Sequence, residues 1–341
     1  MHAPGNDGPS RRSVITAVGA GAVATAVGAG TAAATVRGTV PMREIPRTGE
    51  RIPVMGLGTF MTWDILPRHP RGRLREVLRR LWEGGGTVVD TSALYGMSEV
   101  NVGDAARALG LTDRLFLTNK TWATGEYLNH TGQADRQFAQ SQRRLSRRRI
   151  DVLQVHSLAN AEMNVALHQR WKREGRMRYA GVTHHVFPAY VPAMEHWMRT
   201  VPLDFVQIRY SIFMREAERT LLPLAADRGI AVQVNMPLEK GRLHHLVRGR
   251  ELPGFAREFC DGWTDFFLKY VISHPAVTNV VPGTGDPDHM TQNLRAARGD
   301  LPDQATRERM VAHLRTIPGF DDLERMPWYP GRVWDKGLVR L

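Results

Sequence analysis

The sequence predicts an α/β fold, a closed (β/α)8 TIM barrel, on three observations. From residue 40 onward, short runs rich in Val, Ile and Leu alternate with longer amphipathic stretches. The alternation repeats eight times, which favours closure over an open sheet. The apolar runs are nearly continuous, as strands become when a parallel sheet is covered on both faces. An open doubly wound sheet calls for a G-x-G-x-x-G turn after its first strand. Here "MGLGTF" offers G-x-G with no third glycine and no helix opening there.

In order, the predicted strands are "VMGLGTF" (54–60), "TVVDTS" (87–92), "LFLTNK" (115–120), "VLQVHS" (152–157), "RYAGVTH" (178–184), "FVQIRYS" (205–211), "AVQVNMP" (231–237) and "NVVPGT" (279–284). Between them, "LREVLRRLWEGG" has apolar residues at helical spacing and ends in glycines, a C-cap signal, and "EVNVGDAARALG" ends the same way. Ahead of the first strand, "MREIPRTGERIPVM" reads as a hairpin turning at "TGE", placed to plug the barrel's bottom. Beyond the eighth unit, "MPWYPGRVWDKGLVRL" shows no period and reads as an extended tail. The predicted division is a leader at 1–38, the barrel at 39–318 and a tail at 319–341.

The leader has the layout of an export signal. Arg11 and Arg12 precede an uncharged run from Ser13 to Val36, and "TAAAT" offers an A-x-A type cleavage site near Ala32 to Ala34. The arginine pair points to the twin-arginine export machinery. The run is long enough to span a bilayer, but Gly and Ala dominate it. The expected location is therefore periplasmic or secreted, without stable membrane insertion after cleavage. An uncleaved signal would leave the protein membrane-anchored, and a disordered leader is the third reading.

The net charge of +12 and pI near 10.5 attract polyanions or phosphorylated ligands and do not bear on fold. The densest cluster, "RRLSRRR" from Arg143 to Arg149, has no interleaved aromatic residues and no nucleic-acid module around it. It reads as the solvated end of a helix, and no nucleic-acid partner is expected. A single cysteine, Cys260, excludes an intrachain disulfide and a site built on cysteines alone. The "HH" pairs at 184–185 and 244–245 lack the i, i+4 spacing of a helical metal site, so no metal is expected.

Barrel enzymes place their chemistry at the C-terminal ends of strands. The second strand ends at Asp90, with Tyr95 in the loop beyond; the third ends at Asn119 and Lys120, and the fourth at His156. Each alone has a structural explanation: a cap, a half-buried ring, a surface lysine, a core histidine. Their convergence on one rim also makes coherent chemistry. A phenol is a reluctant acid at neutral pH, and the Lys120 ammonium can stabilise its phenolate. Asp90 can hold Lys120, and His156 can orient a substrate oxygen. Such a general acid is typically worth about 10²–10⁴-fold in rate.

The motifs "GLGTF", "VVDTSALYG", "LTNK", "LQVHS", "GVTHH", "VQIRYS" and "VVPGT" together resemble the aldo-keto reductase superfamily over roughly residues 42 to 318. The specific part is D-x-x-x-x-Y-G followed by a strand-end Lys and a strand-end His. The resemblance implies an NAD(P)H-dependent barrel that reduces a small-molecule aldehyde or ketone to an alcohol by hydride transfer, without a metal. It makes Tyr95 the proton donor, with Lys120 lowering its pKa, Asp90 supporting Lys120 and His156 orienting the carbonyl. The alternative is an exported NADP-binding protein with little turnover, serving as a sensor or subunit.

The resemblance also distributes the cofactor. Gly58 and Thr59 belong to its binding surface, and its carboxamide lies near Thr183, His184 and Gln207. Thr-His replaces the family's usual Ser-Asn there. Tyr210 matches a position where a ring stacks on the nicotinamide, and a core aromatic is the other reading. "MPLEKGRL" resembles the S-P-L-x-x-G loop along the pyrophosphate: Pro237, Leu238 and Gly241 match, Met236 departs, and Lys240 or Arg242 is placed to meet phosphates. In "PGTGDPDHMTQN", Gly283 and Thr284 match the adenosine segment, and Gln292 and Asn293 sit at adenine positions. His289 stands where many relatives carry a basic residue for the 2′-phosphate. NADPH is the expected cofactor, with NADH left open. Phe60, Trp63 and Trp122 fall where the family lines its substrate pocket, while Trp328, Tyr329 and Trp334 either cover the rim or pack outside.

Overall fold

The computed structural model describes residues 40–124 and 130–331 and the short strands at 334–335 and 338–339. The leader expected at 1–38 lies outside the described residues, as does the Trp334 side chain.

A hairpin opens the described chain. Strand β1 (Met42–Glu44) pairs antiparallel with β2 (Arg51–Pro53), and Gly49 takes the left-handed turn position at φ 70°. Eight parallel strands follow: β3 (Leu57–Gly58), β4 (Val88–Asp90), β5 (Phe116–Thr121), β6 (Ile150–His156), β7 (Met177–His184), β8 (Phe205–Arg209), β9 (Ala231–Asn235) and β10 (Val277–Val280). Each pairs with the next, and backbone bonds from Gly56 N to Val280 O (2.9 Å) and Gly58 N to Pro282 O (3.1 Å) close the ring. The seam explains "GLG". A Cβ at Gly58 would lie 2.6 Å from the Val281 carbonyl, and one at Gly56 would lie 2.9 Å from that of Val88.

Each predicted run overlaps its strand, and the bounds differ at several ends: β6 starts at Ile150 and β7 at Met177, ahead of their runs, and β5 runs on to Thr121. The first contributes only two residues, with an isolated bridge from Met55 to Val280 ahead of them. The eighth begins at Val277 and ends at Val280, so "VPGT" (281–284) lies beyond it. The helices that cover the barrel include α1 (Gly72–Glu83), α2 (Ser98–Ala108), α3 (Gly132–Arg144), α4 (Ala161–Arg173), α5 (Val191–Thr200), α6 (Glu216–Arg219), α7 (Leu221–Arg228), α8 (Arg242–Leu246), α9 (Trp263–Ile272), α10 (Pro287–Ala296) and α11 (Gln304–Arg315). In α1 the buried residues are Leu74, Val77, Leu78 and Leu81, the i, i+3, i+4, i+7 stripe visible in the sequence. Among the described residues no helix is long and apolar enough to cross a membrane. Ahead of the stretch expected to be extended, Leu323–Arg325 forms a 3-10 turn with Leu323 fully buried, and within that stretch β11 (Trp334–Asp335) pairs with β12 (Leu338–Val339).

The barrel interior is layered. Its lower layer is apolar: Ile45 and Ile52 of the hairpin meet Val88, Phe116, Val152, Tyr179, Phe205 and Ala231 near the strand starts. The hairpin therefore plugs the bottom, as its sequence predicts. The layer above is polar. Asn279 Nδ2 donates to the Pro53 carbonyl (2.7 Å), Gln233 Nε2 to Asn279 Oδ1 (3.1 Å), and both Gln207 Nε2 (2.7 Å) and Gln154 Nε2 (3.2 Å) to Gln233 Oε1. In the arginine cluster Arg143, Arg148 and Arg149 are exposed, and the other two make structural contacts. Arg144 pairs with Glu99 (3.1 Å), and Arg147 donates to the carbonyls of Thr112 and Leu115 (both 2.9 Å) and to Asp151 (3.2 Å).

Burial holds several histidines neutral. It pulls His156 and His168 down to about 3, and His184, His185, His244 and His274 to about 4, against an ordinary 6.5. In the unfolded chain these rings take up protons as pH falls through about 6.5, while the folded rings do not. Stability is therefore fully present above that pH and is lost as pH falls toward 4. Urea titrations at pH 7.5, 6 and 5 should show a progressively lower midpoint; an unchanged midpoint at pH 5 contradicts this account.

Candidate active site

The site begins with a buried ion pair at the ends of β4 and β5. Lys120 Nζ donates to Asp90 Oδ1 (2.8 Å), Asp90 Oδ2 (2.7 Å) and the Thr91 carbonyl (2.9 Å). These three acceptors use all the ammonium hydrogens. Asp90 Oδ1 also accepts from Thr118 Oγ1 (2.7 Å) and Gln207 Nε2 (2.9 Å). Both side chains are buried, and burial draws the lysine below its ordinary value while Asp90 opposes the shift.

Beyond Asp90 the chain turns back on itself. Tyr95 N donates to the Ser92 carbonyl (3.0 Å), which brings the phenol over the strand ends. Its ring lies 5.0 Å from Phe60 and 5.7 Å from His156, both edge-on, and Lys120 Nζ lies 5.0 Å from its centroid. Tyr95 keeps a partly exposed face toward the cavity but has protein on every other side. Burial first, then the charge of Asp90, holds its pKa well above 10. This reverses the direction expected from the sequence. Lys120 is neutralised by Asp90, and desolvation of a phenolate outweighs what remains of its field. The phenol is consequently a firmly protonated donor at neutral pH.

His156 is neutral, drawn to about 3 by burial and then by Lys120, His185 and His184. Its Nδ1 lies 3.0 Å from Ser92 Oγ, which accepts from Leu94 N (3.1 Å). The tautomer in which Ser92 Oγ donates to Nδ1 carries the imidazole proton on Nε2, where it can donate. Sequence reading missed Ser92. Its signal was its place two residues after Asp90 in "VVDTS", at the same strand exit.

These groups line a cavity of about 920 Å³. Asp90, Tyr95 and His156 face it, as do Gly58, Thr59, Phe60, Thr183, His184, Gln207, Pro237, Leu238, Gly241, Gly283, Thr284, His289, Gln292 and Asn293. Lys120 sits behind them, acting through Asp90 and beneath the Tyr95 ring. Thr59 bonds the Asp90 carbonyl through both N (3.1 Å) and Oγ1 (2.9 Å). Gln207 lines the cavity, but protein groups fill its amide: Oε1 accepts from Thr183 and Asn235 (both 3.2 Å), and Nε2 serves Asp90 and Gln233. His184 Nδ1 accepts from Val186 N (3.0 Å), and its ring stacks on Tyr190 at 3.6 Å. Burial lowers it to about 4, so it is neutral with its hydrogen on Nε2, able to donate where the usual Asn would.

Three expected site residues lie elsewhere. Tyr210 is fully buried; its hydroxyl donates to Glu218 Oε1 (2.6 Å) and accepts from Arg307 (2.6 Å), so the ring is a core aromatic under α6 and α11. Trp63 is also fully buried, and its Nε1 bonds the Thr284 carbonyl (2.9 Å), pinning the loop after β10. Trp122 is outside the cavity lining, with its backbone N bonded to Gln137 on α3 (2.7 Å). The tail instead supplies Trp328 and Tyr329 to the wall.

At the far end, α10 starts with Asp286, whose side chain accepts from Asp288 N (2.8 Å) and His289 N (3.4 Å) and pairs with Arg73. After β9, Arg242 is locked to Glu239 (2.7 Å) and turned from the cavity, whereas Lys240 faces into it. Two polar atoms in the cavity-lining residues, Thr62 Oγ1 and Asn235 Oδ1, are buried with no hydrogen-bond partner in the protein. Among the described residues no three His, Cys, Asp or Glu side chains converge as a metal site.

The chain is similar to known proteins in sequence and in fold. An aldo-keto reductase of Bacillus subtilis, YhdN, is 29% identical over 178 residues, spanning 49% of this chain and 53% of that protein. The NADH-specific methylglyoxal reductase of Escherichia coli is 27% identical over 279 residues, spanning 67% of this chain and 84% of that protein. An aldo/keto reductase of Klebsiella pneumoniae, solved with NADP and acetate, superposes with a TM-score of 0.64 at 25% identity, covering 79% of this chain and 93% of that one. The holo form of an aldo-keto reductase of Bacillus halodurans has the same fold, with a TM-score of 0.64 at 21% identity, covering 81% and 96%. Residues 54–309 match the profile of the Aldo/keto reductase family, and the chain belongs to that family.

Proposed function

We propose that the protein is an NAD(P)H-dependent carbonyl reductase. One observation carries the reading: two neutral groups, the Tyr95 hydroxyl and the His156 imidazole, share a cavity wall above a saturated Asp90–Lys120 pair. The cavity volume lies in the range of small-molecule sites. Thr62 Oγ1, Asn235 Oδ1 and the His184 donor offer unspent polar contacts suited to a nicotinamide nucleotide.

A reduced nicotinamide, when bound, supplies hydride for the carbonyl carbon. His156 Nε2–H holds the carbonyl oxygen in place. Tyr95 gives that oxygen its proton, completing the alcohol, and the phenolate left behind is stabilised by the Lys120 ammonium at 5.0 Å from the ring. Asp90 keeps Lys120 charged and in position. The experiment is turnover of an aromatic aldehyde, followed by loss of nicotinamide absorbance. Tyr95→Phe should lower kcat by about 10²–10⁴-fold while nucleotide still binds. Ser92→Ala, which removes the hydrogen-bond partner of His156 Nδ1, should lower it by about 3–10-fold. Wild-type-like turnover in Tyr95→Phe rejects the assignment. Tight nucleotide binding without wild-type turnover favours the sensor or subunit alternative.

The nucleotide's identity turns on α10. The helix's first N–H groups are already capped by Asp286, and Asp288 lies beside it. Each of these carboxylates is paired with an arginine, Asp286 with Arg73 and Asp288 with Arg80 (2.6 Å), so removing Asp286 frees a cation for a 2′-phosphate, whereas an intact carboxylate is a natural partner for a 2′-hydroxyl. The relatives include an NADP complex and an NADH-specific enzyme. Asp286→Ser should raise the ratio of kcat/KM for NADPH over NADH; an unchanged ratio removes Asp286 from the choice.

We also read residues 1–38 as a twin-arginine export signal that delivers the barrel to the periplasm or medium. Replacing Arg11 and Arg12 by Lys should retain the protein inside the cell, and undiminished export of that variant rejects the reading.

A further inference from the structure

We propose that Lys240 is a specificity residue that receives a carboxylate borne by the carbonyl substrate, so that the preferred substrates are oxo-acids. This rests on the carbonyl-reductase reading and narrows it to a substrate class.

The argument starts from the backbone. In the turn after β9, Glu239 and Lys240 take left-handed conformations at φ 50° and 51°, ahead of Gly241 at φ 82°. Non-glycine residues at such angles are costly and persist only where their surroundings hold them. The tail supplies part of that hold, since Tyr329 N donates to the Lys240 carbonyl (2.9 Å). The turn sends the Lys240 side chain into the cavity.

There the ammonium meets aromatic faces instead of an acid. Nζ lies 3.0 Å from the centroid of Trp328 and 4.8 Å from that of Phe60. Such faces attract a cation but cannot satisfy three N–H donors as oxygen acceptors do. The neighbouring carboxylate is already committed: Glu239 bonds Arg209 (3.0 Å), Arg242 (2.7 Å) and Ser211 (2.8 Å). Arg209 is further tied to Glu324 (2.8 Å). Among the described residues no side chain or carbonyl accepts a hydrogen bond from Lys240 Nζ, which makes it the uncommitted cation of this part of the wall.

Position separates a substrate group from the nucleotide's phosphates. Phe60, the ring beneath the ammonium, is the ring that packs 5.0 Å from Tyr95. Lys240 is therefore one aromatic ring away from the group that protonates the carbonyl. A substrate with its oxygen at Tyr95 and a carboxylate across the face of Phe60 would reach both donors. Of the titratable groups nearby, His185 is neutral, Glu239 is spent, and Arg209 and Arg242 repel the ammonium. Burial and those two arginines bring Lys240 down to about 7. Preference for an acidic substrate should accordingly fade as pH rises through neutrality.

The test compares 4-formylbenzoate with its methyl ester, the same aldehyde without the charge. Wild type should favour the acid in kcat/KM. Lys240→Met should lower the acid-to-ester ratio by about tenfold or more, and Lys240→Arg should largely retain it. No preference in wild type, or an unchanged ratio in Lys240→Met, overturns the proposal. So does a Lys240→Met variant that loses nucleotide affinity with its ratio intact, because the lysine would then serve phosphates. If neither aldehyde turns over, the carbonyl-reductase reading fails separately, and calorimetric binding of 4-formylbenzoate to the NADP⁺ complex decides. Binding weakened in Lys240→Met supports the carboxylate site, and binding indifferent to the change overturns it.

Discussion

The buried pair of Asp90 and Lys120 is the constraint around which the upper barrel is arranged. A charge pair taken out of water costs several kcal/mol per ion unless hydrogen bonds complete it. Here they do so on both sides. Lys120 spends its hydrogens on Asp90 and Thr91, and Asp90 takes further bonds from Thr118 and Gln207. Gln207 belongs to a chain that runs through Gln233 and Asn279 to the Pro53 carbonyl of the hairpin. The plug at the bottom and the carboxylate near the top are therefore joined by one polar network through a barrel that a purely apolar filling would also have packed.

That network has a chemical consequence. Because Lys120 is neutralised by Asp90, its field on Tyr95 is modest in the free protein, and desolvation decides the phenol's state. The site does not store a phenolate. It keeps a protonated donor, with a cation close enough to stabilise the phenolate once the proton has left. His156 is treated alike: burial strips it of charge, and Ser92 holds its Nδ1 in a hydrogen bond. Both donors are neutral before reaction, and the compensating charge lies beneath them. Aromatic walls from the first strand and the tail surround this arrangement, with Lys240 set into them.

Much of this was legible in the chain. The alternation of apolar runs with amphipathic stretches marks every barrel strand, because a parallel strand covered on both faces has to be apolar. The strand-end positions of Asp90, Lys120 and His156 follow from that count, and Tyr95 from its spacing after Asp90. Residues whose direction depends on packing were less legible. Tyr210, one residue beyond β8, turns outward to Glu218 and Arg307, and Trp63 turns inward to pin Thr284. Gln207 lies where expected but spends its amide on the protein.

By itself, then, the sequence determined the number and order of the strands, the plug, and which ionisable residues stand at the rim, since each is local: a period, a turn signal or a strand end. Tertiary structure decided what those residues experience. The rise in the Tyr95 pKa, the bond between Ser92 and a ring 64 positions away, the commitment of Glu239 to Arg209 and Arg242, and the placing of Lys240 between Phe60 and Trp328 all depend on contacts between distant segments. Burial and hydrogen-bond competition are properties of the closed barrel, and no stretch of chain carries them alone.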